Sequence, residues 1–211
     1  MSTRRLFALC AVLGAALLST ACGGKKTTEM KPAPAQYKVR LTTTKGDVVI
    51  LVHRDWSPLG ADHFYELTNM GFYNGCYFFR AIKNFVVQWG INGDPKINKD
   101  WSEITIKDDP PKVSNKIGTV VFAKTQQPNS RTTQVFINLG DNSASLDPLG
   151  FTPFGEVIQG MENVFNLYTG YGDGPPSGAG PSQENLAIDG NPYLEEHFPK
   201  LDYIKTAKVI P

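Results

Sequence analysis

Between Phe78 and Gly90 the chain reads Phe-Phe-Arg-Ala-Ile-Lys-Asn-Phe-Val-Val-Gln-Trp-Gly, large apolar side chains interleaved with one arginine, Arg80, and two amides, Asn84 and Gln88. Two later segments are of similar character: Gln134-Val135-Phe136-Ile137, and Leu146-Asp147 followed by Phe151-Thr152-Pro153-Phe154-Gly155-Glu156-Val157. Arginine stays charged at physiological pH and presents its donors in a rigid fork, so among apolar neighbours it can supply a fixed local field. Other chemistries find little support. His53, His63 and His197 are the only histidines; they lack metal-ligand spacing and a convincing carboxylate pair, and read as surface or structural residues. The run Gly170-Tyr171-Gly172-Asp173-Gly174 superficially resembles a phosphate loop, but it follows a helical pattern and runs into Pro175-Pro176, so it reads as an ordinary loop. Asp108-Asp109 and Asp141 do not fit a calcium loop, and no dinucleotide fingerprint or Gly-x-Ser-x-Gly elbow occurs. No metal or cofactor is expected.

The elements that must position these residues are short. Val39, Leu41 and Thr43 alternate with Lys38, Arg40 and Thr42, the period of a half-buried strand, and Lys45-Gly46 turns the chain into a second strand over Val48 to Val52. Ser57-Pro58 predicts a helix start with a hydroxyl cap; Ala61, Phe64 and Leu67 recur at helical spacing, and Gly71 closes the segment. Further strands are expected over Cys76 to Ile82, Phe85 to Gly90, Gly118 to Phe122, Gln134 to Asn138, Phe154 to Ile158 and Asp202 to Ile210, with a second short helix over Met161 to Tyr168. Strands at this density suggest a sheet closed into a barrel or sandwich. Tyr171 to Asn191, rich in Gly and Pro, reads as a long surface loop.

The segment from Phe78 to Gly90 resembles the signature of the cyclophilin-type peptidyl-prolyl isomerases, Phe-His-Arg-Ile-Ile-Pro-x-Phe-x-x-Gln-Gly-Gly. Gln134-Val135-Phe136-Ile137 is similar to that family's Gln-Phe-Phe-Ile strand, and Leu146-Asp147 with Phe151 to Val157 to its Leu-Asp…Val-Phe-Gly-x-Val segment. Order and spacing agree from about Tyr37 to Tyr168. The resemblance implies a mostly β fold, a closed eight-stranded antiparallel barrel capped by two short helices. It implies that Arg80 is the catalytic arginine and that Gln88 holds the substrate backbone. Phe85, Val86, Phe136, Leu146 and Phe151 would wall a proline pocket, with Ala123 and Gln134 at the peptide groove. These residue types suit the reaction. Rotation about a peptide bond faces a barrier of about 18–20 kcal/mol because nitrogen donates its lone pair to the carbonyl. No nucleophile is needed; a guanidinium aimed at the nitrogen stabilises the twisted amide and scarcely the planar one. Taken singly, each phenylalanine reads as core and Arg80 as a surface strand residue. A cyclophilin-fold module that binds Pro-containing segments with little catalysis is the alternative, although a pure binder has no need of the arginine.

Several positions depart from the family pattern. Phe151 replaces a histidine and Val86 a methionine, which keeps the pocket apolar; Trp89 stands where glycine is usual. Ser145 takes the place of the tryptophan of cyclosporin-sensitive members, so weak cyclosporin binding is expected. Residues 169–200 form an extension longer than the family loop, expected to cover one barrel edge, without an assigned function.

Of the 211 residues, the first twenty-two read as an address. Arg4 and Arg5 precede an uncharged stretch from Leu6 to Leu18, too short for a membrane span but right for a signal peptide over residues 1–21. Leu18-Ser19-Thr20-Ala21-Cys22 resembles a bacterial lipobox, which implies lipidation of Cys22; a secreted soluble protein is the alternative. Residues 22–36, with Pro32 and Pro34, read as a tether reaching about 2 nm, and residues 37–211 as the isomerase domain. Gly23 after the cysteine favours the outer membrane in a cell that has one. Cleavage removes Arg4 and Arg5 and no acid, turning a net charge of +1 into −1, which argues against electrostatic binding to nucleic acid or membrane surface. Of three cysteines only Cys76 would remain as a free thiol, expected to be a small buried hydrophobe. The expected partners are Pro-containing polypeptides of the cell envelope, met by a monomer.

Overall fold

The structure, a computed structural model, describes residues 32–211. The expected signal peptide over residues 1–21, Cys22 and the expected tether up to Lys31 lie outside the described residues. Packing starts earlier than residue 37: Ala33 is buried and donates its N–H to Asp62 Oδ1 at 2.8 Å, so the last tether residues belong to the domain.

Eight strands form one antiparallel sheet: β1 Gln36–Thr43, β2 Gly46–His53, β3 Arg80–Ile82, β4 Val86–Trp89, β5 Thr119–Phe122, β6 Val135–Asn138, β7 Pro153–Gln159 and β8 Ile204–Ile210, in the order β3-β4-β6-β5-β7-β2-β1-β8. The alternation in β1 buries Tyr37, Val39, Leu41 and Thr43 on one face, as the period of two requires. β4, β5 and β6 are buried along their whole length, which is why their sequences read as apolar runs.

The expected closed barrel is not formed; the sheet is an open half-barrel, with β3 and β8 as its edges. β3 has only three residues, and its outer side is met at Ala81 by an isolated antiparallel bridge to Gly172 of the extension. The chain before β3 spans to the region of β8 instead, through an isolated bridge between Tyr77 and Tyr203 and single bonds such as Phe78 N–H to Asp202 O at 2.9 Å.

Rather than two capping helices, the described residues hold six short ones: α1 Pro58–Asn69, α2 Pro95–Ser102, α3 Ser143–Leu146, α4 Met161–Phe165, α5 Gln183–Asp189 and α6 Asn191–His197. α1 and α4, the two expected from periodicity, pack on the sheet. α1 starts at the expected proline, but Ser57 does not cap it. Asp109 does so from a distant loop, accepting from Leu59 N–H at 3.2 Å, Gly60 N–H at 3.0 Å and the Ser57 hydroxyl at 2.5 Å. Arg131, almost fully buried, neutralises that carboxylate at 3.0 Å. α2 begins at Asp94-Pro95, where Asp94 Oδ1 accepts from Lys96 N–H. Its capping residue and first-turn proline stood in the sequence, but its apolar pattern is too weak to signal a helix.

Three hydrophobic clusters result. The largest lies between the sheet, α1 and α4, and contains Trp89 against Tyr73 and Phe78. A second joins Phe79 and Ile91 to Leu186, Leu194 and Leu201. The extension is therefore no bare loop: α5 and α6 carry a core of their own, each fully buried leucine contributing roughly 1.5–3 kcal/mol. The third cluster, Val86, Val121, Phe136 and Leu146 with Phe85, Ala123 and Phe151, opens to solvent.

Candidate active site

That third cluster floors a cleft of about 570 Å³. The cleft is lined by all nine site residues inferred from the sequence: Arg80, Gln88, Phe85, Val86, Ala123, Gln134, Phe136, Leu146 and Phe151. The sheet register accounts for much of this. β3 places Arg80 opposite Gln88 on β4, and β4 places Gln88 opposite Phe136 on β6. Phe136 meets Phe151 edge to face at 5.8 Å, making an aromatic corner of the kind rings prefer. Gly90 permits the approach of β4 to residues 133–134: its φ is +106°, and a Cβ there would sit 2.4 Å from Thr133 O.

Polar groups run along one wall in a chain. Arg80 Nη1 donates to Gln88 Oε1 at 3.2 Å, and Gln88 Nε2 donates to Gln134 Oε1 at 2.7 Å. The Arg80 guanidinium carbon lies 5.6 Å from the centre of the Phe85 ring. Its other edge is taken by a residue that sequence reasoning passed over. Asp173, in the glycine-rich run read as an ordinary loop, accepts from Arg80 Nε at 2.7 Å and Nη2 at 2.9 Å. Those hydrogen bonds, the arginine's charge and the N–H of Gly174 outweigh partial burial and hold the Asp173 carboxyl below the ordinary carboxylate range. Among the described residues, three of the five guanidinium N–H groups are engaged, leaving one on Nη1 and one on Nη2.

Also missed was a buried amide ladder behind the apolar walls. Asn142 Nδ2 donates to Phe85 O at 2.8 Å and to Asn138 Oδ1 at 2.7 Å. Asn138 Nδ2 donates to Asn115 Oδ1 at 3.1 Å, and Asn115 Nδ2 to Phe151 O at 2.9 Å and Asp147 Oδ1 at 2.8 Å. The ladder ties the backbones of Phe85 and Phe151, two walls of the pocket, to one strand. Asn115, Asn138 and Asn142 lie in different segments and meet only in the fold, so their local sequence gives no sign of such a role.

Other candidates for chemistry lie elsewhere. None of the three histidines lines the cleft. His53 stacks on Trp56 at 4.0 Å, His197 lies against Tyr193, and His63 is wholly buried between Trp101 and Phe122. Cys76 is buried, and burial pushes its thiol up to about 12, so it is no nucleophile at neutral pH.

A half-barrel with an arginine and two glutamines bordering an apolar pocket is the architecture of a proline-directed isomerase. Comparison with known proteins agrees: residues 38–188 match the family model for "Cyclophilin type peptidyl-prolyl cis-trans isomerase/CLD". A peptidyl-prolyl cis-trans isomerase of Acinetobacter baylyi is 34% identical over 136 residues, which cover 63% of this chain and 72% of the relative. Peptidyl-prolyl cis-trans isomerase B of Escherichia coli is 35% identical over 133 residues, covering 60% of this chain and 80% of the relative. A crystal structure of a Cryptosporidium parvum cyclophilin-type isomerase superposes with a TM-score of 0.59 at 21% identity, over 83% of this chain and 98% of the other, a likeness of fold. The chain belongs to the cyclophilin-type peptidyl-prolyl cis-trans isomerases.

Proposed function

We propose that this enzyme, a peptidyl-prolyl cis-trans isomerase, binds an X-Pro segment in the Arg80 cleft and assists the folding of exported proteins in the cell envelope. The observation that carries the assignment of the cleft is an arginine with two uncommitted N–H donors at the rim of an apolar, aromatic-lined pocket. The pyrrolidine ring would sit among Phe85, Val86, Phe136, Leu146 and Phe151, where its burial supplies binding energy. Gln88 and Gln134 are placed to hold neighbouring backbone groups while the rest of the segment rotates. As the amide twists, its nitrogen recovers a lone pair; Arg80 can donate to that lone pair, an interaction absent in the planar ground state. Unaided X-Pro isomerisation takes roughly tens to hundreds of seconds, long enough to limit folding.

The envelope reading is supported by the N-terminal sequence, with its short apolar run ahead of Cys22, and by the Gly/Pro-containing tether. In that reading Cys22 carries the lipid.

The test of the cleft is Arg80→Ala in a protease-coupled or NMR-exchange assay on an X-Pro peptide. Loss of one transition-state donor should cost roughly 10²–10³-fold in kcat/KM. An unchanged rate would refute the mechanism. Labelling of expressing cells with a radioactive fatty acid, wild type beside Cys22→Ser, checks the anchor: label should enter the wild type alone.

A further inference from the structure

We propose that Asp173 is a positioning residue for Arg80, and that the extension over residues 169–200 is a built wall of the active cleft rather than an ornament. The proposal rests on the isomerase reading of that cleft. An arginine side chain has much rotamer freedom, and ordering it costs conformational entropy. Asp173 removes that freedom before substrate arrives. Its two oxygens grip Nε and Nη2 while Gln88 grips Nη1, so the guanidinium plane is fixed from two sides. The two N–H groups left over are the ones available to a substrate nitrogen.

Asp173 is in turn held in place. Its Oδ1 also accepts from Gly174 N–H at 2.9 Å, and its carbonyl accepts from Gly180 N–H at 2.8 Å. The preceding residue, Gly172, is bridged to Ala81, the neighbour of Arg80. The whole segment is moored by Leu186, Leu194 and Leu201 against Phe79, which directly precedes Arg80 in the chain. Ser177 and Gln183 of the extension also line the cleft. The hydrogen bonds from Arg80 hold the Asp173 carboxyl below the ordinary carboxylate range, so it faces the guanidinium as a carboxylate. The carboxylate also offsets the arginine's charge, which suits a site for an uncharged ring and amide.

The experiment compares wild type, Asp173→Ala, Asp173→Asn and Asp173→Glu, each alone and in the Arg80→Ala background, with near-UV circular dichroism as a check on folding. Asp173→Ala should lower kcat about 5–20-fold with little change in KM, because Arg80 acts in the transition state. Asp173→Glu should recover part of the loss, and in the Arg80→Ala background the Asp173 variants should have no further effect. Asp173→Asn keeps the shape of the side chain and one acceptor, so it should give a folded protein with an intermediate kcat even where Asp173→Ala fails to fold. A folded Asp173→Ala or Asp173→Asn with wild-type or raised kcat would overturn the proposal, as would losses that add to that of Arg80→Ala. An Arg80→Ala enzyme with the wild-type rate would instead sink the isomerase reading of the cleft.

Discussion

Arg80 works through the shape of its side chain as much as through its charge. A guanidinium can engage Asp173 with two nitrogens, Gln88 with the third, and still keep two N–H groups for substrate; an ammonium has three donors in total on a flexible stem. Arg80→Lys should therefore keep the net charge and lose most of the activity, with kcat/KM falling at least about 10-fold on a short X-Pro peptide. Near-wild-type turnover from the lysine variant would show that charge alone is enough. Around the arginine, the departures from the family pattern at Phe151 and Val86 leave an apolar wall, and Phe151 completes the corner with Phe136.

At the scale of elements, the pocket depends on how β4, β6 and the turns beside them are held at one depth. Asn138 sits at the end of β6, fully buried, and links Asn142 to Asn115. Asn138→Leu would leave Asn142, Asn115 and the Thr119 hydroxyl, which also accepts from Asn138 Nδ2 at 2.9 Å, each short of a partner, and a buried group left unsatisfied costs about 1–3 kcal/mol. Urea unfolding should show a loss of about 2–5 kcal/mol, and KM should rise more than kcat falls as Phe85 and Phe151 lose their common tie. A variant as stable as wild type would mean that the ladder has no structural weight. Local pattern makes the β1–β2 hairpin, the start of α1 at Pro58 and the strands carrying Gln88 and Phe136 legible, whereas the strand expected over Cys76 to Ile82 is reduced to Arg80–Ile82. Local pattern places the cap of α1 at Ser57, whereas the carboxylate that accepts from Gly60 N–H, Asp109, is 49 residues away in the chain. α5 and α6 carry no loop-breaking signal in the sequence, since their apolar residues are few and set among Gly and Pro, and become a pattern only against Phe79 and Ile91.

The molecule as a whole also carries a pH dependence unrelated to the cleft. His63 is buried with neither ring nitrogen hydrogen-bonded among the described residues, and desolvation, with help from the charge of Arg131, lowers its pKa to about 4. Below the ordinary histidine pKa of about 6.5 the unfolded chain takes up a proton that the folded one refuses, so stability is full above that pH and falls as pH drops toward 4. The loss should approach about 3 kcal/mol near pH 4. His63→Phe should flatten the dependence of the urea midpoint on pH between 7 and 4.5; an unchanged slope would assign it to other groups. The sequence by itself determined the strand periods, the helix start and the set of residues that could form a proline pocket, because those signals are local or recur in a known order. Only the tertiary structure decided that the sheet stays open and that the extension fills the free side of β3. The carboxylate that grips Arg80 lies 93 residues downstream of it. Contacts over such distances are selected by the packing of whole elements, which no short-range period encodes.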